Sequence, residues 1–176
     1  TGIRLEALAG APLPVDGPGF GVNGNFVLSR LSLSSWTGSD AASAKPTPLH
    51  RPQASFEQPG WPVVNTLDEG DNTGWAVAGN IGKDSAATWQ LKQPIDQAGS
   101  TALRLILEHK SVHAQHIIGR FRVSVTATPD PGLGIGGLPT EIADIIACPE
   151  AARSPDQEQR LAAFYRAIAP ALDPVR

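Results

Sequence analysis

The stretches "RFRVSVTAT" and "TALRLILEH" constrain this chain more than any other feature, because both alternate with a period of two. In the first, Phe121, Val123 and Val125 share one face, and Arg120, Arg122, Ser124 and Thr126 share the other. In the second, Leu103, Leu105 and Leu107 oppose Arg104 and Glu108. Successive side chains of a strand point to opposite sides, so this pattern predicts strands with one face in a core and one in water. "IRLEALA" and "ATWQLKQ" are further strand candidates. In "NFVLSRLSLSSW" the apolar phase runs Phe26, Leu28, then Leu31, Leu33; a β-bulge near Ser29 and Arg30 would explain that one-residue slip.

Long stretches rich in Gly, Pro, Ser and Asn separate these candidates: "GAPLPVDGPGFGVNGN", "TGSDAASAKPTPLHRPQ" and "QPIDQAGS". Short strands between large loops predict an all-β fold, an antiparallel jelly-roll β-sandwich, over residues 1–129. "PDPGLGIGGLP" then reads as a Gly/Pro linker over 130–139. Beyond it the spacing turns helical, giving a C-terminal helical extension over 140–176. "TEIADIIA" is a short helix, and Ser154, Pro155 and Gln157 form a capping-box start. From there Leu161, Phe164, Tyr165 and Ile168 make an apolar stripe that needs something to pack on, either the sandwich or a further domain.

The totals narrow the function. At 176 residues the chain suits one domain with a real core. A net charge of −3, with 18% charged residues, gives no basic field for nucleic acid or an anionic membrane. No long apolar run offers a transmembrane helix, and the first residues lack the order of a signal peptide. A chain without methionine that opens on "TGIRLEALAG" is expected to be a piece of a longer protein. The lone Cys148 has no partner for an internal disulfide and reads as a small helix-packing residue.

Motifs for catalysis are absent. "GLGIGG" matches G-x-G-x-x-G at Gly132, Gly134 and Gly137, but "TPDP" precedes it and Pro139 follows, so no strand feeds directly into a helix there. No serine sits in G-x-S-x-G, and no paired carboxylates stand out; the fragment is read as non-enzymatic. His109, His113 and His116 carry metal-like spacings of four and three, yet they lie between two strands and read as a hairpin loop. In "TLDEGDNTGW", Asp68, Asp71 and Thr73 offer hard oxygen donors for a structural calcium ion. The same residues equally suit a polar turn bonded to its own backbone. Trp75 beside it either stacks on a sugar or enters the core, the commoner fate.

"ASFEQPGWPVVNTLDEGDNTGWAVAG" resembles the signature of the galactose-binding-like jelly rolls, the discoidin-type and related carbohydrate-binding modules. Their Ala-Ser opening, Asp turn and Thr-x-Trp fall on Ala54-Ser55, Asp68 and Thr73-Gly74-Trp75. "TGIRLEAL", "GPGFGVNGNFVLSRL", "GWAVAGNIGK", "QHIIGRFRVSVT" and the tail from "GLPTEIADIIACPE" are similar, in order, to a region of large secreted planctomycete and verrucomicrobial proteins. Those proteins carry a cytochrome c-like haem domain and two further domains of undefined role, with this region between the two; the resemblance implies that the tail over 140–176 leads to a following domain. The turn departs from the family pattern: it reads Asp-Glu-Gly-Asp, with Glu69 where the family has Gly.

The resemblance implies a periplasmic or extracellular, non-catalytic module that binds a glycan or polysaccharide, with flanking domains of the same polypeptide as partners. Its candidate ligand residues are Trp36 and Trp61 as stacking rings, with Arg51, His116 and Arg120 as polar partners. Trp89 shares a face with Ala87 and Leu91 and is expected in the core. The alternative is an interdomain scaffold or protein-interaction domain with no glycan ligand.

Overall fold

A computed structural model describes residues 2–95, 101–127 and 140–168. The strands are β1 (Gly2–Ala7), β2 (Val27–Leu28), β3 (Arg30–Thr37), β4 (Lys45–Pro46), β5 (Leu49–Ala54), β6 (Trp75–Ala76), β7 (Ser85–Leu91), β8 (Thr101–Glu108) and β9 (Phe121–Thr126). Two helices follow, α1 (Thr140–Ala147) and α2 (Pro155–Ile168). The fold is mostly β, in antiparallel sheets ordered β5-β7-β1-β9, β2-β6 and β4-β3-β8. The linker expected over 130–139 lies outside the described residues, as does the end of the tail.

One core joins the sheets. Leu5, Ala87 and Trp89 from the four-stranded sheet meet Leu31 from the three-stranded sheet and Leu28 and Trp75 from the small one. Both indoles are fully buried, and each finds an acceptor. Trp89 Nε1–H donates to Thr66 Oγ1 at 2.9 Å, and Trp75 Nε1–H donates to the Phe56 carbonyl at 2.9 Å. Trp75 also meets Phe26 edge to face, with centroids 5.0 Å apart. A buried indole removes enough apolar surface to contribute roughly 4–6 kcal/mol before entropy, so these rings anchor the domain.

The slip at Ser29 is real but is no bulge. There the chain passes from β2, paired to β6, into β3, paired to β8. Ser29 is buried at the hand-over and tied on three sides. Its N–H donates to the Glu108 carbonyl at 2.8 Å, its hydroxyl donates to the Asp71 carbonyl at 3.3 Å, and it accepts from Lys110 N–H at 3.1 Å. Among the described residues a register break lies in β5, between His50 and Gln53.

The tail starts as its sequence predicts. Ser154 N–H donates to Gln157 Oε1 at 2.8 Å while Gln157 N–H donates to Ser154 Oγ at 3.2 Å, a reciprocal capping box. Ile142 and Ile145 of α1 are buried, and Phe164 of α2 lies beside Pro52, Gln53 and Gln90. Phe164 and Ala167 of α2 thus line a hollow with the β5 flank of the four-stranded sheet. Arg153 ties the α1–α2 corner by donating to the Ile145 and Cys148 carbonyls, both at 3.1 Å. No described helix is long and apolar enough to cross a membrane.

Candidate functional site

Loops gather where β1 ends and β9 begins, since Ala7 pairs with Phe121 and Ser85. The segment after β8 meets the long loop before β2 there. Phe20 N–H donates to the Ile117 carbonyl and Val27 N–H to the His116 carbonyl, each at 2.9 Å. Gly21 passes close to His116: a Cβ there would stand 3.0 Å from His116 Cε1 and 2.9 Å from the Asn25 carbonyl oxygen, so only glycine fits.

Three rings line up at this end. Trp61 is edge-on to His113, with centroids 5.7 Å apart, and His113 is 5.3 Å from His116. His113 is exposed, while Trp61 and His116 are half-buried. Trp61 is placed by a bridge with Gln58, whose carbonyl accepts from Trp61 N–H at 2.9 Å. Gln58 is placed in turn by the buried Asn25. Gln58 Oε1 accepts from Asn25 Nδ2 at 3.1 Å and from Ala78 N–H at 3.2 Å, and Asn25 Oδ1 accepts from Val77 N–H at 2.9 Å. His109 supports the cluster from below, its Nδ1 2.7 Å from the Val27 carbonyl. Burial holds its pKa below the ordinary histidine value, and hydrogen bonds to the Val27 and His116 carbonyls oppose that only partly.

Of the five residues proposed from sequence, Trp61 and His116 come together through His113. Arg120 lies at the same end, but its Nη2 donates to the Ala9 carbonyl at 2.7 Å. Trp36 lies elsewhere, at the opposite end of β3, with the Arg104 guanidinium 5.3 Å over its ring. Arg51 sits on β5 at φ +45°, its Nη1 3.4 Å from Gln90 Oε1. His113 was weighed from sequence only as a metal ligand. Its distance of three from His116 was the available signal, and the contact with Trp61 comes from tertiary folding alone. Comparison with family models, curated proteins and solved structures returns no match.

The acidic turn is bonded to itself. Asp68 Oδ1 accepts from Gly70 N–H and from Thr73 Oγ1, each at 2.8 Å, and Thr73 Oγ1 lies 2.9 Å from the Gly70 carbonyl. The Arg30 guanidinium donates to the Asp68 carbonyl at 3.1 Å, and Asp71 Oδ1 faces Lys110 Nζ at 3.9 Å. The bond from Gly70 N–H to Asp68 Oδ1 closes an Asx turn. Among the described residues no group of three His, Cys, Asp or Glu could hold a metal.

Two other hollows differ in chemistry. One of about 920 Å³, between β5 and the helices, is lined by Glu57, Glu141, Asp144 and Asp156; the Arg160 guanidinium beside them is paired to Glu141. A shallower one at the loop end is apolar, lined by Phe20, Val22 and Ile117.

Proposed function

We propose that this chain is a non-catalytic carbohydrate-binding module with a jelly-roll β-sandwich fold of the galactose-binding-like kind, and that Trp61, His113 and His116 form its sugar-contacting surface. The observation that carries the reading is the row of three rings at the loop end, half-buried to exposed and positioned from beneath by the polar pair Asn25 and Gln58. A pyranose presents an apolar face and a hydroxyl edge. A ring edge or face covers the first, and imidazole and amide groups bond the second. Trp36 under Arg104 is a lesser candidate, because the guanidinium already occupies its ring. Binding does not require calcium in this reading, since Asp68 and Thr73 satisfy each other. The parent polypeptide is extracellular or periplasmic by the same resemblance, and its other domains carry whatever chemistry it performs.

Calorimetry of neutral and acidic polysaccharides against the wild type, Trp61→Ala and Trp36→Ala tests this. Affinity lost with Trp61→Ala and kept with Trp36→Ala is expected; equal affinity in all three would remove the ring cluster from the site.

A second reading, an interaction domain without a glycan ligand, is favoured by a different observation: Leu103, Phe121, Val123 and Val125 are exposed on strands whose alternation predicts burial.

A further inference from the structure

Among the described residues the two larger sheets are finished on one side and unpaired on the other. β4 and β5 lie on the same side, joined by Thr47 and Pro48 alone, and the turn Val63–Leu67 contacts both β3 and β5. That side is blunted against further pairing. β4 is two residues long and carries Lys45 and Pro46; β5 carries Pro52, a register break and a positive-φ Arg51, and Phe164 and Ala167 of α2 line a hollow beside it. β8 and β9 form the opposite side. Neither has a proline or a register break, and among the described residues β9 pairs only with β1 and β8 only with β3. The inward row of β9 is left in solvent, with Phe121 52%, Val123 40% and Val125 64% exposed, and Leu103 of β8 is 41% exposed.

The backbone phase of β9 matches this side chain pattern. Leu8 N–H donates to the Arg120 carbonyl at 2.8 Å, so Arg122 and Ser124, in phase with Arg120, turn their peptide groups to β1. The N–H and C=O groups of Phe121, Val123 and Val125 therefore point outward along the free edge. A second copy of β9, brought in antiparallel about a two-fold axis at Val123, meets that edge in register. Val123 then faces Val123, Phe121 faces Val125, and Arg122 faces Ser124 rather than another Arg122. The apolar row continues across the axis on the core side, and Arg122 keeps its ion pair with Glu6 at 2.7 Å. An isologous contact needs this kind of self-complementarity.

We propose that β9 is a homodimerisation edge, two copies of the chain joining their four-stranded sheets through antiparallel β9–β9 pairing centred on Val123. The inference is independent of the glycan reading.

Light scattering after size exclusion, on the full chain across micromolar concentrations, gives the first result. A mass of about twice 18.4 kDa is expected, and a monomer throughout would overturn the proposal. Val123→Pro is the selective variant, because it removes an outward N–H and leaves the β1 ladder intact. It should return a folded monomer whose melting temperature no longer rises with protein concentration, whereas a dimer persisting in the folded variant would overturn the proposal. Should Val123→Pro fail to fold, Val125→Lys places a charge on the same apolar row and is expected to give the same monomer. Val123→Cys in a Cys148→Ser background should oxidise to a covalent dimer, since paired strands bring the two Cα atoms within disulfide reach. Slow amide exchange at Phe121, Val123 and Val125 in a monomer would show that another segment covers the edge, again overturning it.

Discussion

Replacing Asn25 with Ala tests how the loop end is held, and its magnitude follows from two hydrogen bonds and the burial around them. The side chain accepts from Val77 N–H at 2.9 Å and donates to Gln58 Oε1 at 3.1 Å, and the residue is only 4% exposed. Each bond contributes about 1 kcal/mol net, and an orphaned buried N–H costs about 1–3 kcal/mol more. Val77 is fully buried, so water does not replace the lost acceptor. Asn25→Ala should therefore destabilise the domain by about 3 kcal/mol, lowering the melting temperature by roughly 6–12 °C for a chain of this size. Asn25→Asp keeps the acceptor for Val77 but sets a carboxylate against Gln58 Oε1. Gln58 can turn its amide to meet that charge only by withdrawing its oxygen from Ala78 N–H. The Asp variant should thus be destabilised at neutral pH and recover in part near pH 4, as its carboxyl protonates. Thermal unfolding followed by circular dichroism reads both. A shift of less than about 2 °C for Asn25→Ala would refute the reasoning, because it would mean that these bonds carry no net stability.

Further outcomes follow from the same geometry. His109 is held neutral by burial, so stability is full above pH 6.5 and falls as pH drops through that value toward its lowered folded pKa; His109→Gln should remove this part of the pH dependence in melting curves. The Arg122 hydrogen bond lowers the pKa of Glu6 below 4.5, so its contribution is present above that value and is lost as pH falls further; Glu6→Gln should flatten the acid limb of the same curves. Ser154→Ala removes the acceptor for Gln157 N–H and should weaken the start of α2 by about 1 kcal/mol, read as roughly fivefold faster amide exchange at Asp156 and Gln157.

Much of this fold was legible from local pattern. The strand alternation marked β1, β3, β7, β8 and β9, the capping box marked the start of α2, and strand phase placed Trp89 in the core. Features that depend on which strand lies beside which were not legible. The slip at Ser29 has the same sequence appearance as a bulge, and only the partners of β2 and β3 distinguish a change of sheet. Phe121, Val123 and Val125 have the alternation of a buried face, yet burial also needs a layer packed over that face, which a period of two does not report. The ring cluster proposed as the site was half visible. Trp61 and His116 could be named as sugar-binding types, but their meeting through His113 joins segments more than fifty residues apart. The acidic turn offered two chemistries from sequence; the bonds from Gly70 and Thr73 to Asp68 are those of a polar turn, and the comparison of calcium with chelator decides the other.

The most direct measurement is a glycan array probed with the intact chain, with calcium and with chelator, beside the Trp61→Ala variant. The account predicts binding to one polysaccharide class, equal in both conditions and lost in the variant. A folded chain that binds no glycan would contradict it and leave the interaction-domain reading, while binding that vanishes with chelator would move the site to Asp68 and Asp71.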